Sequence, residues 1–499
     1  MQDIYDYLKK KLKEKNVRID DIVKRSGLAR TSIYRIMKGQ TQTPPKVYNL
    51  LVELLELDER EKRELDYYIR LVDVDESLFQ ARKELQSLIF KTKQEKTARV
   101  EDIEFIVYAN EKYIKRYSEL LQLIAETSKK TSFQLDIKIF NCVNDAYLAP
   151  LVEMLSKSKS FDSSDIEQLV SFSNTDSYKN IITLKAIMPL MKYGNYSVLY
   201  VNEDIESNNS VFLRDLMLIE YGWDGDDGWE EKYMMLSFMD NTMSICYITE
   251  EKSLYEFFTR IYASVKDAHE NPLLTQKNIG AMSHAVYEFE SGGKNCIIKL
   301  DPCYHRVPMN VCISVIGRQS SNQLAEMISY LGDSSVFYFG SESALENLLT
   351  YIIDRDKLSL KYSQTNIYTA DGLETFAREG RLSDQFSFLP KFTGEEVKLI
   401  LENIRRKHND PKDKFKFYIT HASLINDNMI YCASENNGIL MEYAELQTFQ
   451  TNLTDCIIKQ DVLSKMFLDF AENFVPDTMA MSQAEADRFI DYLIETYCM

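Results

Sequence analysis

The chain has 499 residues, 45% hydrophobic and 27% charged, with a formal net charge of -18. That length exceeds one ordinary domain, and the balance is that of a globular protein rather than a disordered or fibrous one. No apolar run approaches the ~18 residues of a membrane span, and "MQDIYDYLKKKLKEK" lacks the layout of a signal peptide, so a cytoplasmic protein with no membrane partner is expected.

In chain order, Ile4, Tyr7, Leu8 and Leu12 fall at helical spacing and predict a first helix over 3–15. "RIDDIVKRSG" predicts a second, with Asp20 and Asp21 in its first turn, where they complement the helix dipole, and Gly27 as its stop. "RTSIYRIMKG" predicts a third helix over 30–37. After the extended "QTQTPP" come the apolar helix "VYNLLVELLEL" and a fifth helix from Asp58. Two short helices around a glycine-marked turn, packed among longer apolar helices, form the helix-turn-helix pattern.

Charge singles out the same region. Residues 1–50 carry 12 Lys and Arg against 5 Asp and Glu, whereas 51–499 carry 47 against 72. A basic head attracts phosphates, and an acidic body repels them.

The head resembles the Xre, or Cro/repressor-type, helix-turn-helix regulators over residues 3 to about 70. The resemblance is carried by Ile22 and Val23, Gly27-Leu28-Ala29 at the turn, Ser32-Ile33, Gly39, and Leu50, Leu51 and Leu54. Two positions depart from the family: Val23 stands where Ala is frequent, and Met37 where an acid is frequent. The resemblance implies double-stranded DNA as partner, bound as a homodimer. Arg30, Thr31, Tyr34 and Arg35 are expected on the base-reading face, and Arg18, Lys38 and Gln40 at phosphates.

Residues 75–96 read as one amphipathic helix striped by Leu78, Leu85, Leu88 and Ile89, either packing on its own domain or serving as connector or dimer helix. From about 100 the pattern turns α/β. Strand-like "IEFIVYA" (103–109), a helix, and the strand "FQLDIKIFN" come first. A helix near 179–191, "YSVLYVNE", the hairpin-like "KYMMLSFM" and "MSICYITE", and the helix "KSLYEFFTRIYASV" follow. A similar order returns late: "GEEVKLILENIRRKH", "KFKFYITH", "NMIYCAS", "GILMEYA", "DCIIKQ" and "VLSKMFLDFAENF". Cys246, Ile248 and Phe257 then align with Cys456, Ile458 and Phe467, suggesting two related lobes. The arrangement resembles, in architecture alone, degenerate phospholipase D-like sensor modules. The H-x-K signature of the active enzymes is absent, and no family is assigned to the body.

The expected fold is thus an N-terminal all-α helix-turn-helix domain plus a large α/β body. The expected segments are a head over 1–72, a connector helix over 73–99, a first lobe over 100–270, an inter-lobe segment over 271–329 and a second lobe over 330–499.

Candidates for chemistry in the body are few. Were 301–305 an extended strand, Asp301, Cys303 and His305 would share a face, a weak metal or nucleophile arrangement that matches no common zinc spacing; ordinary packing is the competing account. "YGWDGDDGWEE" fails as a calcium loop because Trp229 stands where glycine is required, and it reads as an acidic turn anchored by Trp223 and Trp229. "IRRKHND" places cations at a helix end, where they suit the dipole. Eight cysteines without a CxxC pair read as reduced thiols. No Walker, GxGxxG, GxSxG or HExxH motif occurs, so neither enzyme activity nor a cofactor is expected. The reading is a DNA-binding transcriptional regulator whose body senses a small-molecule or peptide effector or holds the dimer. An enzyme or protein-interaction module carrying a helix-turn-helix domain is the alternative.

Overall fold

The computed structural model describes residues 4–58, 76–91, 117–202, 215–238, 246–318, 341–443 and 454–498, with short interruptions inside several ranges, and residues 61, 62, 65 and 69. The head opens with α1 (Ile4–Glu14), α2 (Ile19–Ser26), α3 (Arg30–Met37) and α4 (Pro45–Leu54). Each buries the apolar stripe its spacing predicts. Ile4, Tyr7, Leu8, Leu12, Ile22, Ile33, Ile36, Val47 and Leu51 meet in one cluster. Helix α4 begins at Pro45 rather than within the apolar run, because proline's fixed φ suits the first helical position. The next described helical residues are 61 and 62, and Asp58 accepts from the Glu61 N–H at 2.7 Å.

The body holds two mixed sheets. The first contains β2 (Gln134–Phe140), β3 (Asp165–Ser171), β4 (Tyr196–Val201), β5 (Leu216–Gly225), β6 (Gly228–Phe238) and β7 (Cys246–Thr249), in the order β4-β3-β2-β5-β6-β7. Strands β2 to β4 are parallel, and β5 to β7 add antiparallel beyond β2. The second contains β8 (Leu273–Leu274), β9 (Asn295–Ile298), β10 (Gln364–Thr369), β11 (Phe415–Thr420), β13 (Met429–Ser434), β14 (Gly438–Tyr443) and β15 (Thr454–Ile458). Its order is β11-β10-β9-β13-β14-β15-β8. Here too the first three major strands, β9 to β11, are parallel in the order third-second-first, and three antiparallel strands follow beyond the first. Cys246 and Ile248 lie on β7, and Cys456 and Ile458 on β15, the sixth strand of each series.

The expected boundaries need one correction. Residues 271–329, read as a segment between lobes, supply β8 and the interior strand β9 to the second sheet. "NCII" is fully buried on both faces, so it shows no alternation to betray a strand. The strand expected at 103–109 lies outside the described residues, as does the Asp240-Asn241-Thr242 turn, although β6 and β7 pair antiparallel as expected.

Between the sheets lie α5 (Glu76–Ile89), α7 (Ser177–Ile187) and α14 (Asp461–Asp469), the numbering following chain order. One continuous cluster of buried side chains draws on both sheets, including Ile137 and Ile219 from the first and Ile298 and Tyr431 from the second. The helix read as packing element or connector enters this core through Ala81, Leu85, Leu88 and Ile89. It stops at Ile89, well short of 96, where Phe90–Lys91 forms β1 and pairs antiparallel with β12 (Ser423–Leu424). Arg82 is bound to Asp469, which ends α14, while Lys185 of α7 reaches Glu84 at 2.6 Å.

Candidate nucleic-acid interface

Helix α2 ends because Gly27 turns the backbone left-handed, at φ 73° and ψ 10°, while its N–H still bonds the Val23 carbonyl. An L side chain adopts that conformation only at a cost of about 1–2 kcal/mol, so glycine is what permits the tight turn into α3. The first helix of the pair, α2, is tied to α4. Lys46 donates to the Ser26 carbonyl at 3.2 Å, and Arg25 pairs with Glu53 at 3.2 Å.

On α3, Ile33, Ile36 and Met37 are buried, while Arg30, Thr31 and Arg35 are exposed and Tyr34 is half-buried. At 100° per residue, positions 30, 31, 34, 35 and 38 fall within an arc of roughly 140°. Lys38 follows as the exposed C-cap, its N–H bonded to the Tyr34 carbonyl at 3.0 Å. Arg18 is the exposed N-cap of α2 and lies on a different element. Gln40 lies outside the described residues. The two departures from the family pattern have a packing role: Met37 is in the head's core, and Val23 packs against it.

The acids of α2 divide their work. Asp21 accepts from the Arg18 N–H at 3.2 Å and so completes the helix start. Asp20 faces α3 instead, its Oδ1 lying 3.2 Å from an outer nitrogen of Arg30. The Arg30 guanidinium also lies 5.9 Å from the Tyr34 ring centre. Sequence reasoning gave both acids to the dipole, because the pairing depends on the angle between two helices and leaves no periodic signal.

The head is braced behind this face. Lys11 of α1 meets Glu61 at 2.6 Å, with Lys15 at 3.6 Å. Burial opposes charge on Glu61, but the Lys11 hydrogen bond, the Asp58 N–H and the two lysine charges hold its carboxyl below the ordinary range.

The second candidate cluster does not assemble. Residues 304–306 form a 3-10 turn after Pro302 rather than a strand, so Asp301, Cys303 and His305 share no strand face. The Asp301 carboxylate accepts from the Ser383 N–H at 2.7 Å and its hydroxyl at 2.8 Å, and pairs with Lys299 at 3.2 Å. The Cys303 sulfur accepts from Asn366 at 3.5 Å. His305 is buried, and burial first, then the charges of Arg355, Arg306, Lys299 and Lys407, push its pKa well below the ordinary value. Neither ring nitrogen has a hydrogen-bond partner among the described residues. No group of three His, Cys, Asp or Glu side chains able to hold a metal occurs among the described residues. The neighbouring Arg306, which sequence reasoning passed over, is fully buried and bound by Asp356, Ser359 and Gln364 against the Phe415 ring.

The remaining motifs are structural. Trp223 is buried, but Trp229, expected as a second anchor, is 43% exposed near the end of the β5–β6 hairpin. The cations of "IRRKHND" bond to their own fold: Arg405 to Asp491, Arg406 to Asn403, and Lys407 to Asp356 and Asp413.

No family model matches the chain, and no curated protein does. A solved structure that matches, the polyphosphate kinase of Porphyromonas gingivalis, is 10% identical with a TM-score of 0.20. The match covers 71% of this chain and spans 47% of the kinase. At that score it carries no argument about fold or activity. No described helix is long and apolar enough to cross a membrane.

Proposed function

We propose that the chain is a sequence-specific DNA-binding transcriptional regulator of the helix-turn-helix type. The observation that carries this reading is the outward face of α3, where Arg30, Thr31 and Arg35 stand exposed beside Lys38 while Ile33, Ile36 and Met37 lock the helix to the head. Exposed arginines on one short helix after a left-handed glycine turn suit insertion into a major groove, where Arg meets guanine O6 and N7. The surplus of cations in residues 1–50 supplies attraction to phosphate, and the acidic body confines DNA to that end.

One such head makes few base contacts, so the protein acts as a homodimer on paired half-sites. The body holds the dimer, senses a small-molecule or peptide effector, or both. Its shared strand order, together with the alignment of Cys246 and Ile248 with Cys456 and Ile458, supports two related lobes.

The test is selection of duplexes from a randomised library by the full-length protein, followed by anisotropy titration across a salt series. Enriched duplexes should bind far more tightly than scrambled ones, and an Arg30→Ala/Arg35→Ala variant should lose that difference. Equal, weak binding of enriched and scrambled DNA would remove the reading.

A further inference from the structure

An exposed ion pair is a poor stabilising device, yet the Asp20–Arg30 pair sits at the edge of the face just described, where α2 meets α3. The two side chains are 67% and 59% exposed at 3.2 Å, an arrangement that adds little to folding. Asp20 is not needed as the helix cap either, because Asp21 makes that bond. What the pair does change is the freedom of Arg30. A guanidinium carries five N–H donors in a rigid planar fork. Asp20 engages one of its outer nitrogens and the Tyr34 ring lies close by, which leaves donors for an acceptor beyond the protein.

We propose that Asp20 is a positioning and specificity-determining residue: it holds Arg30 for bidentate recognition of one base and penalises docking where that base is missing. This inference rests on the DNA-binding reading above. Inside a groove the dielectric falls, so the carboxylate–guanidinium pair strengthens as water leaves. Arg30 facing a guanine then satisfies the acid on one side and the base on the other. Facing any other base, its remaining donors go unmet, and the Asp20 charge is left close to backbone phosphates. Without Asp20 the arginine is free to swing to a phosphate, a contact that carries no sequence information. Removing the acid therefore raises affinity for DNA at large while lowering discrimination. A merely structural acid would leave discrimination unchanged, since the loss of its charge acts on all sequences alike.

The experiment uses the full-length protein and the library-selected duplex beside its scrambled counterpart. Asp20→Ala and Asp20→Asn should bind scrambled DNA about threefold more tightly and lower the selected-to-scrambled affinity ratio about tenfold. Asp20→Glu should restore much of the ratio, and Asp21→Ala, a cap variant, should lower stability but leave the ratio intact. In an Arg30→Ala background the Asp20 substitution should cost no further discrimination, since the residue acts through that arginine. An unchanged ratio in Asp20→Ala and Asp20→Asn, with the wild type still discriminating, would overturn this inference alone. A wild type that does not discriminate would instead overturn the DNA-binding reading and this inference with it.

Discussion

Arg82 donates from Nε and an outer nitrogen to the two carboxylate oxygens of Asp469, each at 2.6 Å, across 387 residues of sequence. The Arg82 side chain is 9% exposed and that of Asp469 24%, so the carboxylate left behind without Arg82 would keep only partial access to water. Arg82→Ala should therefore lower stability by about 2–4 kcal/mol, a partly buried bidentate pair lying below the cost of a fully buried one. Urea denaturation followed by tyrosine and tryptophan fluorescence reads this directly. A loss within the range of a surface substitution would mean that water already satisfies Asp469.

Gly27 offers a backbone test in the head. A Cβ added there meets no atom within 4 Å, so any penalty comes from φ alone. Gly27→Ala should destabilise the head by about 1–2 kcal/mol and Gly27→Asn by less, because asparagine tolerates the left-handed region. Hydrogen exchange of the α2 and α3 amides is the appropriate measurement.

Acid should weaken the body through Glu396. The side chain starts α13 (Gly394–Asn409), accepting from the Thr393 N–H at 2.9 Å and forming a two-point pair with Arg318. Burial pushes its pKa up, but Arg318 and the Thr393 N–H outweigh burial and bring it down to about 2 from an ordinary 4.5. A depressed carboxyl stabilises the fold fully above 4.5 and loses that contribution as pH falls toward 2. Glu396→Gln should be less stable at neutral pH and show a flatter decline of stability with acid over that window.

Phosphate and base contacts should separate in the salt dependence. Lys38→Ala should weaken binding to all duplexes alike and reduce the slope of log affinity against log salt by about 1. Arg35→Ala should instead relax preference at one base position. Anisotropy at several salt concentrations distinguishes the two.

The head was the most legible part of the chain because its determinants are local. The positions of Ile22, Ile33 and Ile36 define helical faces, and Gly27 marks a backbone state that few other residues adopt. Strand β9 was missed for the opposite reason. Four buried residues have no exposed partner to set a period, and their place in the sheet is fixed by β10 and β13 far along the chain. Asp301, Cys303 and His305 misled because alternation holds only in a strand, and Pro302 leads into a 3-10 turn. The Asp20–Arg30 pair depends on how two helices cross, which no single helix pattern encodes.

The order of strands in the second sheet also sets a timetable for synthesis. Asn295–Ile298 cannot acquire both neighbours until Tyr431–Ser434 has left the ribosome, about 135 residues later, and Leu273–Leu274 waits longer still for Asp455 and Cys456. The first sheet, by contrast, has all six of its described strands once Thr249 is made. A nascent chain halted before residue 454 would carry the six described strands of the first sheet and an unclosed second one. The open edge of β14 would then be available to other chains.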